Sequence, residues 1–456
     1  MLHVASEVSP YSATGGLGLV TAALPRAQRA SGLDATLITP LYRFVDRAGL
    51  VRGAPTPEIR LDGETWHGRF WATPDGTHLF VDLPQLFDRP HAYGPPGHGY
   101  ADNPLRFAVF CRVVAHLSGQ YDLFHLHDWQ AALTAMYLGG ARPTVLTIHN
   151  LAYQGVCEFH WADRLGIPGP LRTFEGVEYH GRINLLKAGL VLADRLTTVS
   201  PRYALEIQHE PGGAGLSGVL RHRRTRLSGV LNGLDHDDWN PITDPALPAA
   251  FGADRLEGRA TCGAALRAEL GLDEGVLFGV VSRATPQKGL DLLAPLFGPL
   301  VRAGARFALM LDGEPAVIGP LQAAADLHPR GVALVPRFDP ALARRIYGGA
   351  DFVVVPSRFE PCGMAQLMAM RYGAVPVVRL TGGLADTVLE GETGLTFFDP
   401  TVSDLEQVLR RAMALFDDAP GYAALRARSM AGDWSWRGPT AAYATLYEAL
   451  MNGARR

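Results

Sequence analysis

Residues 351–387 read DFVVVPSRFEPCGMAQLMAMRYGAVPVVRLTGGLADT, two apolar runs that each break into a turn carrying glycine. The first run, Phe352 to Val355, is mostly β-branched and of buried-strand length; it stops at Pro356, and a helical pattern opens after Gly363. The second, Ala374 to Val378, leads to Thr381-Gly382-Gly383, where another helix is expected to start. Two βα turns about twenty residues apart would leave a parallel sheet on one edge, at the carboxyl ends of its strands, where open α/β sheets bind ligands. Gly382 and Gly383 would let backbone N–H groups close on a phosphate at the positive end of a helix. Glu360 can accept hydrogen bonds from sugar hydroxyls. A Gly-Gly pair before a helix is by itself an ordinary tight turn, but combined with the loop Ser357 to Gly363 it points to a sugar nucleotide.

Outward from this stretch, 456 residues suffice for two or three domains. Hydrophobic residues at 47% and charged residues at 19% describe a globular chain rather than a disordered one. A net charge of −3 provides no electrostatic footprint for nucleic acid. The amino terminus, MLHVASEVSP, has neither a basic flank nor an extended apolar stretch, and nowhere do about eighteen apolar residues run together. No membrane partner is expected, and the cytoplasm is the expected location. Cys111, Cys157, Cys262 and Cys362 form no CxxC pair, which argues against a zinc site or a disulfide framework. Cys362, beside Glu360, is read as a small buried residue rather than a nucleophile. Of 42 basic residues only Lys187 and Lys288 are lysines. Where lysine survives, a compact ammonium on a flexible stem is indicated.

From the amino terminus, Leu2 to Ala5 reads as a strand, followed by the loop Thr14-Gly15-Gly16-Leu17-Gly18 and a helix from about Val20 to Ala30. The runs Glu58 to Leu61, His67 to Ala72 and His78 to Val81 alternate like antiparallel ribbons inserted in an α/β pattern. Tyr100 follows a Gly/Pro-rich loop. Strand Leu123 to Leu126 runs into His127-Asp128-Trp129, and strand Thr144 to Ile148 into His149-Asn150-Leu151. A helix is expected over Arg182 to Ala193, and a strand from Leu227 leads to Asn232-Gly233. In the second half, strand Val276 to Val281 ends in Ser282-Arg283-Ala284-Thr285-Pro286-Gln287-Lys288-Gly289, which would bring two cations to one phosphate group.

SRFEPCG followed by TGGLADT resembles the bacterial glycogen synthases and plant starch synthases, retaining glucosyltransferases. SRATPQKGLD and HNLAYQG extend the resemblance over nearly the whole chain. It implies an α/β, GT-B architecture: two doubly wound Rossmann-like domains facing across a cleft. The expected boundaries are an acceptor-side domain over residues 1–240 and a nucleotide-sugar domain over 241–437, with a carboxyl-terminal helix over 438–456 packing back on the first. By resemblance, Arg283, Lys288, Glu360 and His149 are catalytic. Gly15, Gly16, Asn232, Phe338, Cys362, Gly363, Thr381, Gly382 and Gly383 bind the nucleotide sugar, and Asp128 and Tyr100 lie on the acceptor side. Phe338 stands where the family commonly has a tyrosine against the base. Ala13 and Leu19 depart from the pattern, replacing a lysine and an acidic residue of the amino-terminal loop.

The implied reaction transfers glucose from ADP-glucose to the nonreducing end of an α-1,4-glucan, glycogen or maltooligosaccharide, with retention of configuration. It needs no metal and no pyridoxal phosphate. Two other readings stay open: a related retaining transferase using another nucleotide sugar or acceptor, and a glucan-binding protein that has lost activity, as Ala13 and Leu19 would suggest.

Overall fold

The computed structural model describes residues 1–95 and 97–454. Pro96, in the Gly/Pro-rich loop, and residues 455–456, at the end of the expected last helix, lie outside the described residues. The contacts divide the chain into two units: Met1–Gly233 with the chain from Trp436 onward, and Leu234–Ser435.

In the first unit nine strands form one sheet among the described residues. Its order is Leu227–Gly229, Arg195–Thr198, Thr144–Ile148, Phe124–His127, Leu2–Val4, Thr36–Pro40, His78–Asp82, Arg69–Ala72 and Val51–Pro55. The first seven run parallel and the last two are added antiparallel. Leu2–Val4 pairs with both Thr36–Pro40 and Phe124–His127, so the winding reverses between the first strand and Phe124–His127. Ligands of open α/β sheets bind at such a reversal, beyond the carboxyl ends of the strands. The central strands are buried on both faces, as parallel sheets covered by helices require.

The second unit repeats the plan with six parallel strands: Val332–Val335, Ala305–Gly313, Val276–Ala284, Phe352–Val355, Val375–Arg379 and Leu395–Phe397. Phe278, Phe307 and Phe352 stack across three neighbouring strands with centroids 5.4 Å apart, an aromatic ladder through the core. Here the winding reverses between Val276–Ala284 and Phe352–Val355.

Several local expectations need correction. The expected helix over Arg182 to Ala193 is a strand, Arg182–Asn184, then a helix, Leu185–Leu192. The Asn184 side chain accepts the Lys187 N–H and caps that helix, so extended backbone precedes it. The amino-terminal helix starts at Gly16 rather than Val20. Residues 234–240, expected to close the first domain, join the second unit: the Trp239 ring meets Tyr347 and Tyr372 edge-on, with the Arg344 guanidinium over its face. The last helix, Arg437–Ala454, packs in the first unit, where Tyr443 and Tyr447 join a cluster with Val20, Leu24 and Val145.

Candidate active site

In the second unit the reversal brings together the loop after Val276–Ala284 and the loop after Phe352–Val355. Glu360 is buried, and its Oε2 accepts from Lys288 Nζ at 2.6 Å and from Ser357 Oγ at 2.8 Å. Its Oε1 has no hydrogen-bond partner among the described residues. Gln287 Nε2 donates to the Phe359 carbonyl, the Arg358 N–H donates to the Gln287 carbonyl, and Arg358 grips Asp291 with both terminal nitrogens at 2.7 Å. These bonds hold the two loops as one body. Arg283, near the end of its strand, is exposed, and its guanidinium has no hydrogen-bond partner among the described residues.

The two glycines serve the loop that carries Glu360. A Cβ on Gly382, at φ +46°, would collide with the Glu360 carbonyl, and the Gly383 N–H donates to the Glu360 and Pro361 carbonyls at 3.1 and 3.2 Å. That N–H is therefore committed to the Glu360 loop and is not open to a phosphate. The pair lets the helix Gly382–Thr387 press against the loop that presents Glu360, with Thr381 buried at its start and Cys362 buried beneath. Gly363 turns at φ +77° into the helix Ala365–Arg371. Phe338 is 62% exposed, so its ring face is open to stacking.

In the first unit, Gly15 and Gly16 stand at the start of the 15-residue helix Gly16–Ala30, which has no capping side chain and no acid in its first turn. Glu7 ties this loop down: Oε2 accepts the Thr14 N–H at 2.7 Å and Oε1 the Tyr93 hydroxyl at 2.6 Å. Burial, reinforced by Glu7, holds the Tyr93 phenol well above its ordinary range. Asn232 is half-buried at the end of the unit. Lys187, one of the two lysines of the chain, donates to the Phe174 and Glu178 carbonyls at 2.5 and 2.6 Å and holds that segment, a structural role.

Asp128 occupies the other side of the reversal at φ +58°, a backbone region uncommon for a side chain other than glycine. Its Oδ1 accepts the His149 N–H at 2.7 Å, and burial raises the carboxyl to about 7, against the hydrogen bonds from His149 and Asn150. The His149 imidazole, half-buried, is held down to about 3 by burial.

Trp129, next to Asp128 in the chain, lines a cavity of ≈ 790 Å³ together with Tyr100, Tyr153, Trp161 and Tyr179. Gly155, at φ +63°, lets the Trp129 ring lie flat against the backbone. Arg89 and Arg106 both lie against the Tyr100 ring, whose hydroxyl is buried without a hydrogen-bond partner among the described residues. Sequence reasoning found Tyr100 but missed Tyr153, Trp161, Tyr179 and Glu7. The aromatic density of residues 153–179 is the signal for the three rings; Glu7 has none.

Two parallel-sheet α/β units, each with chemically equipped loops at its winding reversal, define a GT-B glycosyltransferase. A family described as starch synthase catalytic domain matches residues 1–222, and one described as glycosyl transferases group 1 matches 275–415. Glycogen synthase of Methylocella silvestris is 41% identical over 486 aligned positions, covering 99% of this chain and 98% of its own. That of Granulibacter bethesdensis is 42% identical, covering 99% of each. The catalytic domain of starch synthase IV from Arabidopsis thaliana, solved bound to ADP and acarbose, superposes with a TM-score of 0.92 at 30% identity over 99% of both chains. The chain belongs to the glycogen and starch synthase family. Among the described residues, no helix is long and apolar enough to cross a membrane.

Proposed function

We propose that the chain transfers glucose from ADP-glucose to the nonreducing end of an α-1,4-glucan with retention of configuration. The observation that carries this is the pairing of each winding reversal with its own chemistry: Arg283, Lys288 and Glu360 in the second unit, and Asp128, His149 and the uncapped Gly15-Gly16 helix start in the first. Departure of a nucleoside diphosphate builds negative charge where the glycosidic bond breaks. Arg283 and Lys288 would stabilise that charge, assisted by the start of the Gly16–Ala30 helix. Phe338 would stack on the base, with Asn232, Thr381 and Gly363 beside the nucleotide sugar. Glu360 Oε1 and His149 would orient the glucosyl group.

Glu360 is not assigned as a nucleophile: Lys288 and Ser357 hold its Oε2 in place, and transfer on the face the phosphate leaves needs no covalent intermediate. The leaving phosphate can itself take the acceptor hydroxyl's proton on the face it departs from, so no separate base is required. The aromatic cavity by Trp129 and Tyr100 supports a glucan acceptor, since sugar C–H faces pack on aromatic rings while hydroxyls reach groups such as Glu158 and Arg182 at its wall. A cytoplasmic location belongs to the same reading, because a charged nucleotide sugar does not cross a bilayer unaided.

Donor choice is tested by offering radiolabelled ADP-glucose and UDP-glucose separately with glycogen. Label should enter glycogen preferentially from ADP-glucose. Preference for UDP-glucose would move the chain to a neighbouring specificity, and no incorporation from either would favour the glucan-binding reading.

A further inference from the structure

The first unit buries a line of imidazoles that the proposed reaction does not itself explain. His3, His125, His127 and His149 come from neighbouring strands or their ends, and His3 pairs in register with His125. His3 Nε2 lies 2.7 Å from Gln28 Oε1, His3 Nδ1 lies 3.0 Å from His127 Nε2, and His127 Nδ1 lies 2.9 Å from His149 Nε2. Gln28 Nε2 donates to the Tyr447 hydroxyl at 3.0 Å, and that hydroxyl lies 2.7 Å from His125 Nδ1. His125 Nε2 in turn meets Thr147 Oγ1 at 2.6 Å. His3, Gln28, His125 and His127 are fully buried. Burial holds His3 at about 3 and His127 well below its ordinary range, so every ring is neutral near pH 7 and carries one proton.

His3, His125 and His127 place ring nitrogens within 4.8 Å of one another, a spacing that could suit a metal. All six of those nitrogens already face another side chain, which leaves none to point at a cation.

A chain of neutral imidazoles has a direction, since each ring donates from one nitrogen and accepts at the other. An amide at its end sets that direction, because its oxygen only accepts and its nitrogen only donates. With Gln28 Oε1 towards His3, His3 must carry its proton on Nε2 and accept at Nδ1. His127 must then donate from Nε2 and accept at Nδ1, and His149 must donate from Nε2. We propose that Tyr447, Gln28, His3 and His127 act as positioning residues that fix His149 as its Nε2–H tautomer, presenting a bare Nδ1 as a hydrogen-bond acceptor. The sense of the line is set at the last helix: Tyr447 orients the Gln28 amide by accepting from its nitrogen and donates its own proton to His125. That His149 then serves a sugar hydroxyl rests on the functional reading above; its tautomer does not.

The test is long-range ¹H–¹⁵N NMR of the histidine rings in the ligand-free full chain, with His149 identified by the signal lost in His149→Asn. The expected result for the wild type is a single tautomer with the proton on Nε2. A proton on Nδ1, or an averaged pair of nitrogens, would overturn the proposal. Gln28→Glu sharpens it, because a carboxylate accepts on both sides: His3, His127 and His149 should keep their tautomers, while His125 switches to Nδ1–H as Tyr447 turns its proton to Glu. Tyr447→Phe should instead leave His149 with mixed tautomers, and an unchanged spectrum there would show that the last helix sets nothing. Since the spectrum is read without substrate, an inactive protein showing the expected tautomer would refute the functional reading and leave the relay standing.

Discussion

Lys288 Nζ sits 2.6 Å from Glu360 Oε2, an ion pair that joins the two loops at the winding reversal of the second sheet. The Lys288 side chain is 16% exposed and that of Glu360 7%, so neither charge is well solvated.

Breaking such a pair from one side leaves an uncompensated charge, at a cost of about 3–5 kcal/mol when burial is complete. Lys288→Ala should fold with clearly reduced stability and lose activity on the order of a hundredfold or more. The double variant Lys288→Met, Glu360→Gln should recover most of the stability and none of the activity. Urea unfolding and turnover of both variants check this. A Lys288→Ala protein as stable as wild type would show that the pair does not hold the loops.

Arg283 provides the contrast, being exposed and without a side-chain partner among the described residues. Arg283→Ala should leave stability within about 0.5 kcal/mol, as surface changes do, while turnover falls on the order of a hundredfold through loss of charge at the leaving phosphate. Near-normal turnover in a folded Arg283→Ala protein would move the diphosphate elsewhere.

Asp128 predicts a pH dependence of stability. Burial raises its carboxyl in the folded chain from 3.8 to about 7. A raised folded value means that the native state holds the proton more tightly than the unfolded state. The stabilisation is therefore complete below about pH 4 and is lost as pH rises through about 7, a change on the order of 4 kcal/mol. Asn at this position can still accept the His149 N–H, so Asp128→Asn should lack this decline and exceed the wild type in stability above pH 7. Urea midpoints from pH 4 to 8 for both proteins decide it, and parallel curves would contradict the assignment.

Ala13 stands exposed beside Thr14, whose N–H is held by Glu7. A lysine there has room to extend and would add a cation to the loop that meets the helix start. Ala13→Lys should lower the KM for ADP-glucose and leave that for glucan nearly unchanged. An unchanged or raised donor KM would mean that another group already compensates, or that this loop does not approach the diphosphate.

The βα rhythm was legible where strands are buried on both faces, because such strands are continuous apolar runs: Phe352 to Val355 coincides with its expected bounds. Edge pieces were not. Val51–Pro55 is nearly all exposed and does not alternate, and Glu178–Tyr179 is too short to show a period. Arg283, Lys288 and Glu360 could be placed near one another because a parallel sheet sends successive loops to one edge. That Lys288 neutralises Glu360, or that Gly383 donates to the Glu360 loop, depends on the close approach of two chain segments and has no local signature. The imidazole line left a faint trace: His125 and His127, two residues apart, must share a strand face. Connecting them to His3 and His149 required the strand order, and connecting them to Tyr447 required the path of the last helix.

The central claim is tested most directly by incubating the protein with ADP-glucose and a defined maltooligosaccharide and reading the product by ¹H NMR. The account predicts an acceptor lengthened by glucose units at its nonreducing end, each new bond α-1,4, with one ADP released per bond. A β-configured bond, or ADP released with no lengthening of the acceptor, would contradict it.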